Sequence, residues 1–118
     1  MKLKNLFNMK TYCLTLDLID NQELIEEYDK WHLAVWPEII TSIKEAGIEQ
    51  MEIYRYKNRL MMIMGVNSAF NAEEKEKMDM ANARVQEWES LMWKYQKALP
   101  GAKPGEKWML MDKIFELE

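Results

Sequence analysis

The strongest constraint on the fold of this chain is the order in which strand-like and helix-like hydrophobic periods follow one another. From Lys10 to Leu18 apolar and polar residues alternate, which is the two-residue period of a half-buried strand. Helical spacing from about residue 22 to residue 33 predicts a helix after that strand. Pro37 interrupts the helix, because proline lacks a backbone donor, and starts a second helical segment that extends to Ala46.

The second half of the chain completes the pattern. Two β-rich runs, Glu49 to Tyr56 and Arg59 to Val66, are predicted to form a hairpin that turns at Lys57-Asn58. Helical spacing from Val85 through Leu99 to Pro100 predicts the second major helix, and Trp108 to Leu117 is predicted as a final strand. The order β, α, β, β, α, β predicts an α+β fold of the ferredoxin-like split βαβ type, with helices on one face of an antiparallel sheet.

Length and composition predict one domain over residues 9–118, because 118 residues bury a core without help from disulfides. Residues 1–8 do not fit the first strand. We interpret them as a flexible N-terminal extension, either a frayed tail or the product of an upstream start codon. Charged residues make up 31% of the chain and the net charge is -4, with both signs interspersed, which argues against a nucleic-acid partner.

Cysteine usage and hydropathy bear on the compartment and on cofactors. The single Cys13 forms no intramolecular disulfide, and one cysteine with one histidine cannot complete a four-ligand zinc site. No apolar run approaches the roughly 18 residues of a membrane span, and the N-terminus lacks a signal peptide's hydrophobic stretch. We therefore expect a cytoplasmic protein with no membrane association, no metal and no cofactor.

The predicted strands are rich in methionine and offer more apolar surface than one layer of helices can cover. Such a surface predicts a second subunit packed sheet to sheet, and hence a homodimer. The cavity would lie either inside each sheet-and-helix unit or at the sheet interface. The methionines concerned are Met61, Met62, Met64, Met109 and Met111.

His32 is the only histidine, and it follows Tyr28 by four residues, which places the two side chains one turn apart on one helix face. Histidine alone has an unperturbed pKa, about 6.5, that lets it give and take a proton near neutrality. A lone histidine on an amphipathic helix is more often a packed or surface residue than a catalyst. The nearby Tyr28, Trp31 and Trp36 nevertheless favour a proton-transfer site.

The chain has five tryptophans, and their flat apolar faces stack on the C–H face of a sugar as readily as they build a core. Trp93 and Tyr95 point to different helix faces, so we expect at least one of them to line a pocket. The sequence contains no Gly-rich phosphate loop, no serine triad context and no metal-ligand cluster. What remains is a cofactor-free reaction carried by positioned proton donors and acceptors, such as an isomerisation.

Two motifs resemble the L-rhamnose mutarotase family. The first is Glu26-Glu27-Tyr28 with His32 four residues on, followed by Trp36-Pro37-Glu38, and the second is Trp93-Lys94-Tyr95 with Pro100 shortly after. The likeness extends through the Ile53-Tyr54 strand and the Ile114-Phe115 segment, so that it covers residues 10 to 117.

This resemblance implies a dimeric α/β barrel of ferredoxin-like protomers that interconverts the α and β anomers of a monosaccharide, a deoxyhexose. It assigns the catalytic roles to His32, as general acid, and to Tyr28, as its partner. It implies that Trp93 lines the sugar pocket. We further predict that Trp36 forms a wall of that pocket and that Tyr54 and Tyr95 bind the substrate. Mutarotation needs one group to protonate the ring oxygen and one to deprotonate the anomeric hydroxyl.

The chain departs from the rhamnose enzymes beside the predicted site. Leu33-Ala34 follow the histidine where those enzymes have Asn-Pro, and Met92 stands where a second tryptophan is common. The segments 84–89 and 100–108 instead resemble a branch of the family associated with L-fucose. The motifs therefore predict the reaction more firmly than they predict the sugar.

Two other functions compete with a mutarotase. In a haem-binding dimeric α/β barrel, a helix histidine near tryptophans would ligate the iron. In a non-enzymatic small-molecule sensor domain, the methionine-rich sheet would serve association and His32 would have no catalytic role.

Overall fold

A computed structural model describes residues 10–118 of the chain, and the extension predicted for residues 1–8 lies outside them. Over this range an antiparallel sheet of five strands carries four helices, which confirms the predicted α+β class. The elements in chain order are β1 (Lys10–Leu18), α1 (Gln22–Trp31), α2 (Pro37–Glu45), β2 (Ile48–Tyr56), β3 (Arg59–Val66), α3 (Ala72–Met80), α4 (Ala83–Trp93), β4 (Gln96–Lys97) and β5 (Met109–Leu110).

The sheet has the strand order β2-β3-β1-β4, and β5 pairs with a second stretch of β1. Leu16 lies opposite Leu60 in the β1–β3 register, and both side chains are buried, as is Leu18 at the end of β1. Because side chains alternate between the two faces of a strand, this register identifies the helix-covered face of the sheet. The core lies between that face and helices α1, α2 and α4.

The break before Pro37 is confirmed, and it matters for the site. Trp36 has the backbone angles φ -55° and ψ 134°, the extended geometry that a following proline imposes. Helix α1 ends at Trp31, and α2 starts at Pro37. Gly47, directly after the C-terminal cap Ala46 of that helix, has a φ of 94° and lets the chain turn into β2.

The predicted ends of the last helix and last strand are wrong. Helix α4 stops at Trp93, and Gln96 and Lys97, expected to be helical, pair with Leu18 and Asp17 of β1. Of the predicted 108–117 strand, Met109 and Leu110 form the strand paired with β1, Met111 adds one backbone hydrogen bond to Cys13, and residues 111–118 form no regular element. Both errors have one cause: pairing with β1 is a long-range contact that local periodicity does not report.

Helix α3 was not expected, because its segment has no apolar period. None of its side chains is buried, and the acidic run from Glu73 to Lys77 lies within it. Within residues 10–118, no helix has the length and apolarity that crossing a bilayer requires.

The methionines predicted to form one apolar sheet surface are divided between two faces. Met62 belongs to the helix side and is 8% exposed. Met61 alternates with it and lies on the opposite, outer face, together with Met109, which is paired with Thr15. Met111 follows the last strand and is exposed.

Candidate active site

His32 is the C-terminal cap of α1, five residues before the Pro37 at which α2 begins. Its backbone N–H donates to the carbonyl of Asp29, as in the last turn of a helix. The ring packs on Tyr28, one turn earlier, with 4.5 Å between the centroids. The predicted juxtaposition of these two side chains is confirmed.

One hydrogen bond fixes the His32 ring. Nδ1 lies 2.9 Å from the backbone carbonyl oxygen of Tyr28. Because a carbonyl oxygen only accepts, Nδ1 is the protonated nitrogen, and Nε2 of the neutral ring carries the lone pair. The half-buried imidazole therefore presents a proton acceptor at Nε2.

Tyr28 is 3% exposed, and its hydroxyl oxygen accepts a hydrogen bond of 3.3 Å from Nε2 of Gln96. Burial raises the pKa of Tyr28 to about 12, against a smaller lowering by the Gln96 hydrogen bond. The phenol thus stays protonated at neutral pH and acts as a hydrogen-bond donor rather than as a base.

Trp88 of α4 is the aromatic residue that connects the site. Its ring lies 5.9 Å from His32, 5.0 Å from Trp36 and 6.3 Å from Trp31, each in an edge arrangement. Trp36 is in turn covered by the guanidinium of Arg84, 3.8 Å from the ring centroid. Trp36, predicted as a pocket wall, therefore lies in the same cluster as His32.

Tyr95 is buried beneath this cluster, and its hydroxyl is already engaged. It donates to Oε1 of Glu27 and accepts from Nε1 of Trp31, both at 3.0 Å. Burial raises the pKa of this phenol, and the Glu27 carboxylate adds to the effect while the Trp31 bond opposes it. Tyr95 thus ties α1 to the segment after α4.

Trp93 lies on another side of α4 from the cluster. Five residues separate it from Trp88, which corresponds to about 140° around the helix. The Trp93 ring is 37% exposed, and Nζ of Lys107 lies 4.8 Å from its centroid. Burial lowers the pKa of Lys107, and the carboxylate of Glu89, 3.6 Å from Nζ, opposes this effect. Nζ also donates to the backbone oxygen of Glu89 at 3.1 Å.

Tyr54 is not brought to His32 within one protomer. It lies opposite Met61 in the β2–β3 register, and therefore on the outer face of the sheet, where it is 52% exposed. The next residue, Arg55, points to the helix side and forms a two-bond pair with Asp29 of α1 at 2.6 and 2.9 Å. This pair holds α1 against the sheet beside Tyr28.

Sequence reasoning missed Gln96, which is 6% exposed and bonded to Tyr28. The sequence around Gln96 does not indicate that this polar residue is buried, because its burial results from the β4–β1 pairing.

Two residues at which the chain departs from the rhamnose enzymes have different surroundings: Leu33 is 85% exposed, and Met92 lies in the core. Across residues 10–118 no group of three potential metal ligands occurs.

Comparison with known proteins identifies the family. The model of the L-rhamnose mutarotase family matches residues 11–117. This chain belongs to the L-rhamnose mutarotase family. It is therefore an isomerase that acts on sugar anomers, which favours the mutarotase interpretation over the haem-binding and sensor alternatives.

Individual members of the family show how the chain relates to it. The L-fucose mutarotase of Xanthomonas campestris pv. campestris is 45% identical over 112 residues, which cover 93% of this chain and 90% of that protein. The L-rhamnose mutarotase of Sinorhizobium fredii is 41% identical over 46 residues, 39% of this chain and 42% of that protein.

The crystal structure of an L-rhamnose mutarotase from Formosa agariphila has the same fold. It superimposes with a TM-score of 0.68 at 19% identity and covers 92% of this chain and 99% of that one.

Proposed function

We propose that the enzyme interconverts the α and β anomers of a 6-deoxyhexose, with L-fucose as the first candidate, by acid/base-catalysed ring opening and reclosure. The identity to the Xanthomonas L-fucose mutarotase, 45% over nearly the whole chain, supports L-fucose over L-rhamnose. The observation that carries the chemistry is the bond from His32 Nδ1 to the Tyr28 carbonyl, which leaves Nε2 as the proton acceptor.

In the proposed reaction His32 serves as both base and acid. Nε2 takes the proton of the anomeric hydroxyl, the C1–O1 bond becomes a carbonyl, and the electron pair of the breaking C1–O5 bond goes to the ring oxygen. The imidazolium then gives its proton to that oxygen. After rotation about the C1–C2 bond, the same steps run in reverse on the other face of the aldehyde, and the enzyme is unchanged.

Tyr28 is proposed to assist as a neutral donor. A phenol with a pKa of about 12 keeps its proton through the cycle and donates a hydrogen bond to the ring oxygen while negative charge develops there. Trp36 and Trp93 are proposed as apolar walls for the sugar, and Tyr54 and Tyr95 as further substrate-binding residues. The packing of Trp36 on Trp88, which also contacts His32, supports the first of these assignments.

We further propose that the working unit is a homodimer of ferredoxin-like protomers forming a dimeric α/β barrel. The strand order β2-β3-β1-β4 supports the ferredoxin-like protomer. The outer sheet face with Tyr54 and Met61, and the exposed apolar segment after β5, support a second copy. In such a homodimer, Tyr54 on the outer sheet face of one protomer would reach the sugar site of the other protomer. The free thiol of Cys13 is consistent with the cytoplasm as its location.

Saturation-transfer NMR between the two anomeric protons tests the role of His32. We expect His32→Ala to fold like the parent and to lose on the order of 10²-fold or more in L-fucose anomer exchange, because it removes the group that moves the proton. Added imidazole should restore part of the rate. Lys30→Ala, an exposed change in the last turn of the same helix, is the matched control.

The role of His32 would be wrong if His32→Ala exchanged L-fucose and L-rhamnose as fast as the parent. Equal exchange rates for the two sugars in the parent would contradict the preference for L-fucose.

A further inference from the structure

Gln96 places an unpaired acceptor beside the Tyr28 hydroxyl. Only 6% of the residue is exposed, and it lies on β4 opposite Leu18 of β1. Nε2 donates to Tyr28, whereas Oε1 accepts no hydrogen bond from any residue between 10 and 118. A buried amide oxygen without a donor is uncommon, because most buried polar atoms are paired.

The two groups together have a defined chemical complementarity. The Tyr28 oxygen already accepts from Gln96, so the phenol's own proton is free to be donated elsewhere. Next to that donor stands the Gln96 oxygen, which can only accept. An oxygen that both accepts and donates, namely a hydroxyl, matches this pair, whereas an ether oxygen can use only the donor.

We propose that Gln96 recognises the hydroxyl that the sugar's ring oxygen becomes when the ring opens, an inference that rests on the proposed function. In the closed sugar that oxygen is an ether and accepts from Tyr28. Once it has taken the proton from His32, it becomes the C5 hydroxyl and donates to Gln96 Oε1 while still accepting from Tyr28.

The pair thus gains one hydrogen bond during ring opening. A hydrogen bond that is absent from the bound closed sugar and forms as the ring opens accelerates the reaction, because it lowers the free energy of ring opening without stabilising the closed sugar. Gln96 is accordingly a catalytic residue that acts on the open chain, and it contributes little to binding the closed sugar. Gln96 differs in this respect from Trp36 and Trp93, the proposed apolar walls, which would contact the closed and the open sugar alike.

Two ligands that cannot react represent the open and the closed sugar. L-fucitol carries the free C5 hydroxyl, and 1,5-anhydro-L-fucitol retains the ring ether. We expect Gln96→Met to weaken L-fucitol binding by about tenfold, the effect of one lost hydrogen bond, and to change the affinity for the anhydro sugar by less than about twofold. Titration calorimetry measures both, and retained binding of the cyclic ligand shows that the variant is folded.

Kinetics give an independent readout. Gln96→Met should lower kcat for L-fucose exchange by about tenfold with little change in KM, because the lost contact forms only after the ring opens. Gln22→Met, at the exposed start of α1, is the matched control. Equal losses for both ligands, or no loss for L-fucitol, would overturn the role of Gln96.

The proposal for Gln96 and the proposed function fail in different ways. A parent enzyme that exchanges no 6-deoxyhexose would contradict the proposed function itself. A parent that exchanges L-fucose normally, with ligand affinities that Gln96→Met leaves unchanged, would contradict only the assignment of Gln96.

Discussion

At the scale of single residues, the two neighbours Tyr28 and His32 owe different properties to their surroundings. The His32 ring is oriented by a backbone carbonyl, which leaves one nitrogen free for proton transfer. The Tyr28 phenol is buried, and this keeps it neutral. One turn of helix therefore provides a ring nitrogen with a free lone pair and a phenol that keeps its proton.

The raised pKa of Tyr28 makes stability depend on pH in alkaline solution. In the unfolded chain this phenol ionises near pH 10.0 and in the folded protein near 12, so its contribution is complete below the first value and is lost toward the second. Tyr28→Phe removes that dependence. We expect the stability difference between the parent and Tyr28→Phe to shrink by about 1 kcal/mol from about pH 8 to about pH 11.

Urea unfolding at the two pH values measures this difference. Tyr56→Phe is the control, because Tyr56 is 74% exposed and should show no such change. A constant difference between parent and Tyr28→Phe would argue against a raised pKa.

The central pair could be predicted from sequence because a spacing of four residues is a local property of a helix. Gln96 could not, since nothing in its neighbourhood along the chain indicates burial. It meets Tyr28 across 68 residues of sequence, through the pairing of β4 with β1.

At the scale of elements, helices α3 and α4 begin with the same kind of cap but differ in how many side chains they bury. Asn71 caps α3 and Asn82 caps α4, each through Oδ1, which accepts backbone N–H groups of the first turn. Helix α4 contributes Trp88 and Met92 to the core, whereas α3 buries no side chain. The same kind of cap therefore supports very different amounts of packing.

Substitution of the two caps should reveal this difference. We expect Asn82→Ala to lower the free energy of unfolding by about 1 kcal/mol, because it leaves two donors of α4 without their acceptor. Asn71→Ala should cost clearly less, because fraying of α3 exposes no core. Thermal unfolding followed by circular dichroism compares the two, and equal losses would contradict the argument.

The elements that sequence predicted correctly are those whose signals are local. The alternation in β1, the hairpin at Lys57-Asn58 and the Pro37 break all lie within a few residues. Helix α3 escaped prediction because it has no apolar face, and the end of α4 because Gln96 pairs with a distant strand.

At the scale of the whole molecule, the chain ends in an apolar segment that does not pack on its own core. Ile114, Phe115 and Leu117 are 94%, 76% and 84% exposed. Burying three large side chains of this kind is worth several kcal/mol, at about 1.5–3 kcal/mol each. In the proposed homodimer a second copy would cover them.

Removal of residues 113–118 tests this arrangement. We expect the full chain, 14.2 kDa, to elute as a species of about twice that mass and the truncated chain to elute as a monomer. Lys113→Ala, which changes the same segment without removing apolar surface, is the control. Light scattering after size exclusion gives the masses, and a truncated dimer would refute a role for this segment.

The carbonyl that orients His32 belongs to the main chain, so in the proposed mechanism the orientation of the catalyst is separate from sugar recognition by side chains. Side chains around the ring can be exchanged by mutation without loss of the bond that orients the imidazole, because none of them supplies it. Under this proposal, a lineage can acquire a new sugar preference through single substitutions while His32 keeps its orientation at every step. The presence of L-fucose and L-rhamnose mutarotases among the relatives of this chain is what such a division would produce.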